Sequence, residues 1–84
     1  MTSEEVKELF KDNKKSDSKK ISAAALANIT KFATVNLRMD SKTLDYYYEV
    51  DIDELVSSSM PKSEYEVMNE QGWKIKNNNL ILYI

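Results

Sequence analysis

At 84 residues the chain has room for one domain with a modest core, and 42 % apolar with 31 % charged residues is the balance of an ordered globular protein. It holds no histidine, no cysteine, one glycine and one proline. That excludes disulfides, thiolate metal sites, imidazole- or thiol-based nucleophilic catalysis and glycine-rich phosphate loops.

The net charge of −2 is uneven. Residues 1–38 carry eight basic and five acidic groups, a balance of +3, while residues 39–84 carry four basic and nine acidic groups, a balance of −5. Such polarity bears on association rather than on fold.

In chain order, residues 2–12 read as a short helix. Thr2 and Glu5 have capping-box spacing, and Val6, Leu9 and Phe10 share one face. The opening is acidic and lacks a long apolar run, so no secretory signal is expected. Residues 13–18 are polar and aperiodic and read as a mobile basic loop. Ile21, Ala25, Ile29 and Phe32 then form one helical stripe behind Ser18 as cap, ending near 28–31.

From Ala33 the period changes to two. Ala33, Val35, Leu37 and Met39 alternate with polar residues, as do Leu44, Tyr46, Tyr48 and Val50 beyond the turn at 40–43. This predicts a half-buried hairpin with Tyr46 and Tyr48 in the core and Tyr47 facing solvent. Residues 51–54 open a third helix, broken at Pro61. Residues 62–71 resume as a helix, with Tyr65 and either Met68 or Val67 inward, up to Gly72. Residues 73–84 close as a hairpin around Asn77, Asn78 and Asn79, with Trp73 anchoring the core.

The order α-α-β-β-α-(α)-β-β predicts one α+β domain over residues 1–84: a four-stranded antiparallel sheet, made of two hairpins, with helices on one face. The apolar run 80–84 belongs inside the sheet, and it is too short to cross a membrane.

Asp51, Asp53 and Glu54 have oxygen ligands for a hard cation, but carboxylates in a first helical turn are explained by capping and the helix dipole. Ser57, Ser58 and Ser59 near Lys62 lack the oxyanion-stabilising turn that a serine–lysine pair needs. No catalytic residue, metal site or cofactor is therefore expected, and the chain reads as non-enzymatic.

Surface complementarity remains. The first reading is a protein–protein interaction module that presents an acidic surface (Asp45, Tyr47, Glu49, Glu64, Glu66 and Glu70) to a basic partner. The Asn- and Lys-rich composition suggests a bacterial or phage accessory factor in the cytoplasm of its host cell. The alternative is a nucleic-acid binder. It would use the lysine loop (Lys14, Lys15, Lys19, Lys20) and a winged-helix-like 51–84 unit whose wing carries Lys74 and Lys76. Glu64, Glu66 and Glu70 give that unit's recognition helix the wrong sign. Homo-oligomerisation is a third reading, because small domains with marginal burial gain stability by pairing.

Overall fold

The computed structural model describes residues 1–11 and 22–84. The expected mobile loop at 13–18, with Lys14, Lys15, Lys19 and Lys20, lies outside the described residues, as do Ser18 and Ile21. The elements are α1 (Ser3–Phe10), α2 (Ala23–Thr30), β1 (Asn36–Met39), β2 (Tyr46–Asp51), α3 (Ile52–Ser57), α4 (Lys62–Gln71), β3 (Lys74–Lys76) and β4 (Asn79–Tyr83).

Local chemistry sets the helix starts. Thr2 and Glu5 form the capping box of α1: the Glu5 amide donates to Thr2 Oγ1 at 3.2 Å, and the Thr2 amide donates to Glu5 Oε1 at 3.0 Å. Those bonds hold the Glu5 carboxyl below its ordinary pKa. The cap of α2 is Ser22, which accepts from the Ala25 amide at 3.1 Å. Asp51 caps α3 by accepting from the Asp53 amide at 2.9 Å. Glu54 does not close a box there; it accepts from the Thr34 amide at 2.7 Å and ties the α2–β1 connection to α3.

The ends of α3 and α4 repeat one solution. At the end of α3 the Ser59 amide donates to the Val56 carbonyl and the Met60 amide to the Leu55 carbonyl. At the end of α4 the Gly72 amide donates to Asn69 and the Trp73 amide to Met68. Both are Schellman closures, with Leu55–Met60 and Met68–Trp73 as the apolar residues of each motif. Glycine takes the left-handed position at Gly72 (φ 96°), whereas serine takes it at Ser59 (φ 56°). Pro61 then starts α4, where its missing amide costs no helical bond.

The sheet is antiparallel throughout, in the order β1-β2-β4-β3. As the apolar density of 80–84 demands, β4 is internal. The last hairpin turns at Asn77 and Asn78, with Asn77 at φ 57°. Pairing places Val50, Leu80 and Ile75 in one cross-strand row, and Tyr48 with Leu82 in the next. The described helices cover this face. Val6, Phe10, Ile29, Ile52, Leu55, Tyr65, Met68 and Trp73 join Val50, Leu80 and Leu82 in one core.

Polar bonds brace that layer. Asn69 donates to the Leu9 carbonyl at 3.0 Å, Ser58 to the Phe32 carbonyl, and Trp73 Nε1 to Gln71 Oε1 at 3.0 Å. The Tyr65 hydroxyl is buried with no hydrogen-bond partner among the described residues, and its burial raises its pKa. No described helix is long and apolar enough to cross a membrane.

Three expectations are corrected. The first strand begins at Asn36, because Ala33 still closes a helical turn onto Ile29. Its residues Leu37 and Met39 are exposed rather than half-buried. Tyr46 is exposed and Tyr47 is buried, the reverse of the expected arrangement.

Candidate interaction surface

The Tyr46 side of β2 is covered over only part of its length. The core shared with the helices takes in Val50, Leu80 and Leu82, with Tyr48 and Ile75 packed against it.

Beyond them a third cross-strand row lies bare. Met39 pairs with Tyr46, and the Ile84 amide donates to the Tyr46 carbonyl at 3.0 Å, placing Ile84 beside it. Relative exposures are 51 % for Met39, 53 % for Tyr46 and 60 % for Ile84, with Leu37 in the neighbouring row at 58 %. Leu44, at the tip of the same hairpin, is also exposed and is held in the left-handed region at φ 62°. For a leucine that conformation is costly.

Tyr47 lies on the opposite face, which is free of the described helices, in a row with Arg38 and Tyr83. It is only 8 % exposed because its neighbours roof it. The Tyr83 ring centroid lies 5.3 Å away at a 53° tilt, and the Lys76 ammonium stands 5.3 Å from the Tyr47 ring centroid. Arg38 Nε meets Glu49 Oε1 at 3.3 Å, and the Tyr83 hydroxyl donates to Asp40 Oδ2 at 3.3 Å. The Lys42 amide bonded to Asp40 lowers the pKa of that carboxyl, while burial and the adjacent Asp40 raise that of Tyr83.

The expected acidic surface is divided between layers. Asp45 and Glu49 belong to the hairpin and Tyr47 is roofed over, whereas Glu64, Glu66 and Glu70 belong to α4 on the other side of the sheet. Glu64 also accepts from the Asn28 side-chain amide and braces α2 against α4.

Lys74 and Lys76 share the helix-free face with Arg38, but so do Asp40, Glu49 and Asp51. Among the described residues, three cations against three carboxylates make no electropositive track. An open depression of about 440 Å³ between α1 and β3 is lined by Glu4, Lys7, Glu8, Lys11 and Ile75, again two charges of each sign. Among the described residues no three carboxylates gather as a metal site would require.

The alternation that produces the bare row was visible in the sequence as Leu37 and Met39 against Tyr46 and Tyr48. The alternation alone does not mark which of these residues are covered. No protein-family model, curated protein or solved structure matches this chain.

Proposed function

We propose that this chain is a non-enzymatic protein–protein interaction module that binds through the β1 edge and the bare end of its sheet. The observation carrying this reading is the cross-strand row Met39–Tyr46–Ile84, extended by Leu37. Each of these side chains is more than half exposed, and a contiguous apolar patch on a small domain is often functional. Tyrosine and methionine are enriched at interface centres, and the backbone of β1 is available to a further strand.

The divided carboxylates set the sign of the surrounding field rather than forming the contact themselves. The balanced charges of the helix-free face give less support to nucleic-acid binding than a basic groove would. Composition alone supports the finer reading of a cytoplasmic bacterial or phage accessory factor.

A photo-crosslinking residue at position 46, compared with one at exposed position 67 on α4, tests the proposal in cells expressing the chain. A discrete protein adduct from position 46, absent from position 67 and lost in Leu37→Lys, is expected. Equal labelling from both positions, or none from 46, overturns the reading.

A further inference from the structure

We infer that the partner on this surface is a second copy of the same chain, joined antiparallel through β1 with Leu37 at the centre of the pairing; this rests on reading the bare row as a contact surface. The two edges of the sheet differ. β3 is three residues long and carries Lys74 and Lys76, features that discourage edge pairing. β1 is four residues long, has neither proline nor lysine, and all its side chains are exposed.

Symmetry selects the geometry. Only a two-fold axis normal to the sheet sets one edge strand antiparallel against itself, and that axis joins like face to like face. Side chains that pair across the axis then lie on the same face of the joined sheet.

Charge selects the register. Centring on Arg38 sets two guanidinium groups directly opposite each other, a destabilising pair. Centring on Met39 runs the pairing into the turn, where the Asp40 amide already donates to the Asp45 carbonyl at 2.8 Å and the Lys42 amide to Asp40 Oδ1 at 2.9 Å. Centring on Leu37 sets Leu37 against its own copy, Met39 against Val35, and Arg38 against Asn36.

Asn36 is the cross-strand partner of Glu49 within each chain. Arg38 of one copy therefore reaches the same face as Glu49 of the other. Opposite charges meet twice across the axis, and every residue of β1 gains a partner. A pairing of two four-residue edges is small beside interfaces of standard size, so association in the micromolar range is expected.

Sedimentation equilibrium of the full chain from about 5 to about 500 µM tests this, since the range brackets micromolar association. The weight-average mass is expected to climb toward twice the monomer. Leu37→Lys should remain monomeric with an unchanged melting temperature, because that side chain is exposed in the single chain.

Arg38→Glu and Glu49→Arg should each weaken association by about tenfold or more, the scale measured for close interfacial charge pairs. Mixing these two variants should restore it. The mixture re-forms Arg–Glu contacts between chains but not within either chain, so recovery reports the intermolecular pairing. A wild-type mass that stays monomeric throughout, or a mixture that fails to recover, overturns the inference. If a different protein is then crosslinked from position 46, self-pairing has failed and the contact-surface reading has not.

Discussion

The row Val50–Leu80–Ile75 and the row Met39–Tyr46–Ile84 lie on one face of one sheet, four residues or about 13 Å apart along the strands. Their side chains are of similar apolar character, yet Val50 and Leu80 are fully buried while the second row stands in solvent. The difference is in what lies above them. The described helices, closed by caps and Schellman turns, pack over the first row, while the second stands exposed. Apolar patterning thus specifies which face of a strand turns inward, while what packs against that face decides how much of it is covered.

Deletion should separate the two ends most sharply. Removing residues 80–84 takes out the internal strand and should abolish cooperative thermal unfolding altogether; a truncated chain that still melts in one sharp transition contradicts the role given to β4.

At single positions, Leu80→Ala should cost about 2–5 kcal/mol in urea unfolding, the range for a fully buried leucine. Ile84→Ala at dilute concentration should stay within about 0.5 kcal/mol, as for an exposed side chain. Equal losses at the two positions would mean that the second row is covered within the single chain.

Glycine substitutions give smaller gains. Ser59→Gly and Leu44→Gly both relieve a left-handed residue and should each stabilise by about 0.5–1 kcal/mol. Only Leu44→Gly changes the apolar surface of the hairpin, so only it is expected to affect partner binding. Under the helices, Tyr65→Phe removes a buried hydroxyl without a partner. It should leave stability unchanged or raise it by up to about 1 kcal/mol; a clear loss in a thermal melt would reveal a bond to that hydroxyl.

The smallest effect concerns acid. Glu5 and Asp40 have folded pKa values below their ordinary 4.5 and 3.8, so their contribution is present in full above those values. It is lost as pH falls through the lower, folded values. Melting temperature should therefore be flat from pH 7 to about 5 and drop below pH 4.5. Glu5→Gln should flatten part of that drop.

Much of the fold was legible because local chemistry and global packing agree. The Thr2–Glu5 box, the Asp51 cap, the break at Pro61, the stop at Gly72, the burial of Trp73 and the internal β4 all follow from residue types with few alternatives. The Ser59 turn was hidden because serine occupies a place that glycine usually marks. The exchange of Tyr46 and Tyr47 was hidden for a different reason. Alternation separates their faces, but it does not record that Tyr46 stands exposed, nor that Tyr83 and Lys76 close over Tyr47.

Methyl relaxation by a soluble gadolinium probe, followed across protein concentration, tests the central claim most directly. In dilute protein the Leu37, Met39 and Ile84 methyls should relax strongly while those of Val50, Leu80 and Leu82 do not; as concentration rises the Leu37 and Met39 methyls at the pairing edge should become protected, and those of Ile84 and Val67 should not. Protection of Leu37, Met39 and Ile84 equal to that of Leu80 at every concentration would contradict the existence of an open docking surface.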